Sequence, residues 1–323
     1  MNEFDFLYDN MEKAISIRIK QEHNNYIKAL LQVVKDLTTS IEDTKVDPDD
    51  IVSLEQTYQS LQSRGYHTNT LKSVFQLLLI KGFKHQKKSL DVFVPNTIGY
   101  MIGHFLQVYF ENAKDIRLLD VNLKSANFIL DVLSILDRED LDVVGLENEK
   151  EYVEIAKAFA DFTLADILIY FQDPLQEFHE TFDAIIGDLE DREYENYKYY
   201  SPLYQAGVRY LPFLLIEKYA NKLQDNGLMA CIVDQDFFFH VDFKKMKEEV
   251  TCLAWPGFVV LPESMFQAGV KPKGILLLQK SKKIYSQMQL IQLPSFEDKE
   301  TLQEVLQELN SWLKTIQLGG KEQ

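Results

Sequence analysis

Hydrophobic positions along the chain follow two rhythms, and the change falls near residue 90. Before it, apolar residues recur at helical spacing. Ile27, Leu30, Leu31, Val34 and Leu37 form one stripe, Ile51, Leu54, Tyr58 and Leu61 a second, and Leu71, Phe75, Leu78 and Leu79 a third. This spacing predicts three or four helices over 1–90. The polar stretch 38–50, which contains one proline, reads as a loop between two of them. Lys81, Lys84, His85, Lys87 and Lys88 form a basic run that reads as a solvated linker, with a phosphate contact as the lesser alternative.

From about residue 90, short apolar runs alternate with longer helical patterns. The runs are 117–121, 141–147, 166–173, 182–189, 228–234, 258–263 and 274–280, and each predicts a strand. Tyr152, Val153, Ala156 and Phe159 mark a helix between two of them. Ser201-Pro202 suits a helix start, with serine as cap and proline in the first turn. That helix is expected to run to about Leu223 with a kink at Pro212. A last strand at 288–294 precedes a helix carrying Leu302, Val305, Leu306, Leu309, Trp312, Leu313 and Ile316. Strands this apolar, alternating with helices, predict an α/β fold: a mostly parallel sheet covered on both faces. The expected domains are a helical one over 1–90 and an α/β one over 91–323.

Charge separates the same two parts. Residues 1–90 hold 12 Lys/Arg and 12 Asp/Glu, so the net charge of −16 arises in the remainder. Such acidity opposes general binding to nucleic acid or anionic membrane. Cys231 and Cys252 stand far from any metal-ligand pattern and the six histidines are scattered, so neither a disulfide framework nor a metal site is expected. The first residues carry acids and no apolar core segment, and no apolar run is long enough to span a bilayer. The expected setting is cytoplasmic.

Four acids fall at or just after the carboxyl ends of successive strands: Asp120, Glu147, Asp173 and Asp188. One acid at a strand end means little, because polar loops follow strands. Four in order suggest a nucleoside-containing ligand. A carboxylate after the second strand suits ribose hydroxyls, and one after the third suits an exocyclic amine.

The order and spacing of these segments resemble the adenine-N6 DNA methyltransferases, which use S-adenosylmethionine (SAM), in their short stand-alone form with an N-terminal helical region. The resemblance runs through VFVPNTIGYMIG (92–103), LLDVNLKSANFI (118–129), VVGLENE (143–149), FQDPL (171–175), FDAIIGDLEDREY (182–194) and VLPESMF (260–266) followed by GILLLQK. It implies a Rossmann-like SAM-dependent methyltransferase sheet, mostly parallel with an antiparallel strand at the end. It also implies SAM as cofactor and DNA as partner. The implied cofactor residues are Pro95, Asp120, the turn at Lys124 and Ala126, Glu147 for the ribose, and Asp173 for the adenine amine. Asp188 would take the target amine's protons, and Tyr194 or Tyr197 would supply an aromatic ring against the base.

The sequence departs from that pattern at two loops. Lys124 and Ala126 stand where the family has glycines that let the backbone approach the methionine part of the cofactor. Asp188 is followed by Leu189-Glu190-Asp191 in place of two prolines and an aromatic. Residues 188–195 carry five acids against Arg192, with no evident basic stripe to offset them, which makes a poor entrance for DNA. Two readings therefore stand side by side. One is a SAM-dependent methyltransferase with weakened or lost activity. The other is a non-catalytic protein of the same fold that binds a nucleotide-like ligand or a protein partner.

Overall fold

Three of the N-terminal helices begin at a side chain that satisfies their first amide groups. The computed structural model describes residues 2–20, 25–39, 47–90, 92–136, 138–195, 200–266, 269–281 and 287–318. Helix α1 (Glu3–Arg18) is capped by Asn2, α2 (Tyr26–Thr38) by Asn25, and α3 (Pro48–Gln62) by Asp47 with proline in its first turn. Helix α4 (Thr68–His85) completes the set. Pro48, Asp49 and Asp50 thus open a helix rather than ending a loop, and 40–46 lie outside the described residues. The basic run is not a solvated linker either. Lys81, Lys84 and His85 belong to α4, Lys81 Nζ lies 2.6 Å from Glu12, and Lys88 pairs with Glu151.

The chain forms two compact units. The first comprises residues 1–96, 124–130 and 149–169, so α7 (Lys150–Thr163) joins α1 to α4. Phe75 of α4 stacks on Phe159 of α7 with ring centroids 4.2 Å apart. Inside this unit the Arg18 guanidinium reaches Asp36 through Nε at 2.8 Å, and the Tyr58 hydroxyl donates to the same carboxylate at 2.8 Å. Both charged residues are buried, and the shared hydrogen bonds offset their desolvation.

The second unit comprises residues 97–123, 131–148 and 170–323. An eight-stranded sheet is built from β1 (Ile116–Asp120), β2 (Leu141–Glu147), β3 (Leu168–Phe171), β4 (Phe182–Asp188), β5 (Leu223–Asp234), β6 (Ala254–Val260), β7 (Lys273–Gln279) and β8 (Gln289–Gln292). Their order is β3-β2-β1-β4-β5-β7-β6-β8. β1 is parallel to β2 and β4, and β4 to β5, while β7 runs antiparallel to both β5 and β6. Side chains alternate across it. Leu119, Ile185, Met229, Cys231 and Leu278 share a core with α9 (Leu211–Ala220). On the opposite face Leu118 and Ala184 meet Leu106 and Phe110, at the end of α5 (Asn96–Tyr109). The terminal helix α11 (Lys299–Leu318) joins α5 through His104 and Asn310 at 2.7 Å.

The helix expected from Ser201 to Leu223 is in fact two. Ser201 Oγ caps α8 (Pro202–Gln205), accepting from the Tyr204 amide at 3.0 Å. The chain then turns through Gly207 at φ +89° and restarts as α9 with Pro212 in the first turn. Proline there removes no helical hydrogen bond, so it starts a helix instead of kinking one.

Candidate functional site

Strand order reverses beside β1, with β2 on one side and β4 on the other, and that is where an open α/β sheet admits a ligand. Asp120 ends β1 fully buried, and its Oδ1 accepts from the Asn122 amide at 3.0 Å. The following turn is stitched to both neighbouring strands. Val121 N donates to Ile186 O at 3.0 Å and Leu123 N to Leu146 O at 2.9 Å. The bare Cα of Gly145 makes room for this: a Cβ there would lie 2.7 Å from Leu123 Cδ2. Asn122 Nδ2 then donates to the backbone carbonyl of Asp188 at 2.8 Å. The ends of β1 and β4 are thereby held in register.

The chain next passes through Lys124 at φ +49° and Ala126 at φ +63°. Both are left-handed conformations that favour glycine, and a side chain there costs about 1 kcal/mol or more. Side chains thus occupy both left-handed positions of the turn. Ala126 is fully buried and Lys124 is 8% exposed. Ser125 between them is buried, and its hydroxyl makes no hydrogen bond among the described residues. Asn127 Nδ2 donates to Val94 O at 3.2 Å, which ties the turn to the segment containing exposed Pro95 within the first unit.

Glu147 ends β2, 4% exposed, with Oε1 accepting from the Asn148 amide at 2.8 Å. The Gln172 amide donates to Glu147 O at 2.9 Å, so the ends of β2 and β3 meet. Gln172 Nε2 is shielded from solvent and makes no hydrogen bond among the described residues. Asp173 accepts from the Leu175 amide at 2.9 Å on one oxygen and from the Tyr194 hydroxyl on the other. Tyr194 therefore reaches the acid after β3. Tyr197 lies outside the described residues.

Asp188 ends β4 with its side chain 4% exposed, and Lys273 Nζ donates to Oδ1 at 2.7 Å. Lys271, two residues earlier, lies 2.6 Å from Asp191, 3.2 Å from Asp236 and 3.7 Å from Asp234. Glu190 pairs with Arg192 at 2.9 Å. The acidic loop thus meets an offset that was not evident in sequence: two lysines at the entrance to β7, in addition to Arg192. A hydrogen bond from Lys271 holds the Asp191 carboxyl below the usual range. Burial, followed by the hydrogen bond and charge of Asp191, pushes Asp234 up to about 6. Burial beside Asp191 also raises the Tyr210 phenol. Asn122, Lys271, Lys273, Asp234 and Tyr210 escaped sequence reasoning. Lys271-Pro272-Lys273 offered a signal, because residues two apart entering a strand share a face.

Glu147 has the chemistry to accept from ribose hydroxyls, and the Gln172–Asp173 segment offers donors and acceptors of the kind a nucleobase takes. The turn at 124–126 carries side chains at both left-handed positions, one of them a lysine, a chemistry unsuited to the methionine part of SAM. Among the described residues no group of three or more His, Cys, Asp or Glu is placed to hold a metal ion. No described helix is long and apolar enough to cross a membrane.

No family model matches the sequence. The chain is 24% identical over 319 residues to the uncharacterized protein YtxK of Bacillus subtilis (strain 168), covering 95% of this chain and 97% of that protein. Among solved structures it is similar to a Listeria monocytogenes protein proposed to be a class I SAM-dependent methyltransferase. That match has TM-score 0.82 and 21% identity, and covers 96% of this chain and 98% of the other. It is also similar to the methyltransferase subunit of a type I restriction-modification system from Streptococcus thermophilus, with TM-score 0.66, 14% identity and coverage of 95% and 74%. The chain has the Rossmann-like fold of class I SAM-dependent methyltransferases.

Proposed function

We propose that the chain is a SAM-dependent methyltransferase of the adenine-specific DNA type in which methyl transfer is weakened or lost. The fold and the four strand-end acids support the type. One observation carries the loss: the turn after β1 keeps two left-handed positions but fills them with Lys124 and Ala126. Pro95, Asp120, Glu147 and Asp173 would be the remaining cofactor residues, and Asp188 the acceptor of the target amine's protons. The similar restriction-modification subunit supports DNA as the ancestral partner, and a cytoplasmic setting accords with that role.

A second reading, a non-catalytic protein of this fold that binds a nucleotide-like ligand or a protein partner, is favoured by the internal partners of two acids. Asp173 holds Tyr194, and Asp188 holds Lys273. A methyl-transfer assay separates the two. Protein is incubated with methyl-labelled SAM and adenine-containing DNA, and label in the DNA is counted. Weak label above a no-protein control is the expected result of the first reading, and sustained turnover would overturn the proposed loss. Label equal to the control, together with saturable binding of a nucleotide in place of SAM by calorimetry, would favour the second reading.

A further inference from the structure

Lys273 stands in the place of an acceptor. Asp188 is nearly buried at the end of a central strand, and the groups that take protons from an incoming amine at such a position are its carboxylate and its carbonyl. Each already accepts one hydrogen bond: Lys273 Nζ donates to Oδ1 at 2.7 Å and Asn122 Nδ2 to the carbonyl at 2.8 Å. The Lys273 side chain is 25% exposed, so its ammonium is only partly hydrated. It enters from β7 in register with Asp234, and Lys271 on the same face fastens Asp191 of the acidic loop.

We propose that Lys273 is a specificity-determining residue that closes the acceptor site to neutral exocyclic amines. The inference rests on the reading of Asp188 as the acceptor of the target amine's protons. A neutral amine binding to Oδ1 would replace a charge-assisted hydrogen bond with one roughly half as strong. It would also leave an ammonium, already partly dehydrated, without its carboxylate. The exchange is unfavourable on both counts. Arginine at the position would maintain the closure. An uncharged side chain of similar length would open it.

The test uses the full chain and two short single-stranded oligodeoxynucleotides. They are identical except that the central base is adenine in one and purine, which lacks the exocyclic amine, in the other. Fluorescence anisotropy without SAM gives the ratio of the two affinities. Wild type and Lys273→Arg are expected to bind both equally. Lys273→Met is expected to prefer adenine by about tenfold, the worth of one buried hydrogen bond, and to lose the preference when Asp188→Ala is added. Lys273→Leu, which likewise carries no donor, serves if the methionine variant does not fold. An adenine preference already present in wild type would overturn the proposal. So would a folded, uncharged variant that shows none, including one that binds neither strand. Methyl transfer to adenine-containing DNA by the Lys124→Gly/Ala126→Gly variant, with and without Asp188→Ala, tests the reading of Asp188 without changing Lys273, so the two failures are distinguishable.

Discussion

Replacing Asp234 with asparagine removes a carboxyl whose ionisation opposes the fold. Asp234 ends β5 at 5% exposure, beside Asp191. Burial, the hydrogen bond to Asp191 and that neighbour's charge raise its pKa from an ordinary 3.8 to about 6, with Lys273 and Lys271 pulling the other way. A group raised on folding stabilises fully below its unfolded pKa, and that contribution is lost as pH rises through the folded value. The contribution is therefore complete below 3.8, declines from there to about 6, and is gone above. At about 1.4 kcal/mol per pH unit, the loss is on the order of 3 kcal/mol. The asparagine side chain would stay neutral at every pH and could still donate to Asp191. The stability of Asp234→Asn relative to wild type should thus grow by about 3 kcal/mol from acid to mildly alkaline pH. Guanidinium unfolding followed by tryptophan fluorescence reads this directly, because both tryptophans, Trp255 and Trp312, lie in the second unit. A gap between the two proteins that is constant with pH, or that narrows as pH rises, would refute the reasoning.

Two further substitutions probe the frame of the site. Lys273→Met strands a carboxylate whose side chain is 4% exposed and should lower stability by about 2–3 kcal/mol at neutral pH. Most of that should return on adding Asp188→Asn, and denaturation of the four members of the cycle would show it; simple additivity would contradict the pairing. Gly145→Ala places a Cβ 2.7 Å from Leu123 Cδ2 and should destabilise by about 1–2 kcal/mol, with recovery in combination with Leu123→Val. Equal melting temperatures for the alanine variant and wild type would show that the turn does not depend on that close approach.

How much of this was readable beforehand follows from which interactions are local. Buried strands read as apolar runs, which places β1, β2, β4 and β7 and the later parts of β5 and β6; β3 and β8 lie at the sheet edges, mostly exposed, and are found from their apolar residues alone. The acids at their ends follow from the same reading. The left-handed turn at Lys124 and Ala126 was anticipated from the resemblance, not from propensity, since neither residue type favours that conformation. Pro212 misled because proline serves equally well as a breaker or in a first turn, and only the reversal at Gly207 decides between them. The basic run looked solvated because its carboxylate partners, Glu12 and Glu151, lie more than sixty residues away in sequence. Lys273 and Asp188 are 85 residues apart, so their ion pair emerges only once the sheet order places β7 beside β5. Long-range charge pairing leaves no periodic trace.

The turn after β1 can be interrogated most directly by calorimetric titration of SAM into wild type and into the double variant Lys124→Gly/Ala126→Gly. Bare Cα atoms at the two left-handed positions would readmit the methionine part of the ligand and remove the opposing ammonium. The expected result is no heat from wild type and saturable binding by the glycine variant. Tight, saturable binding of SAM by wild type, unchanged in the variant, would contradict the account.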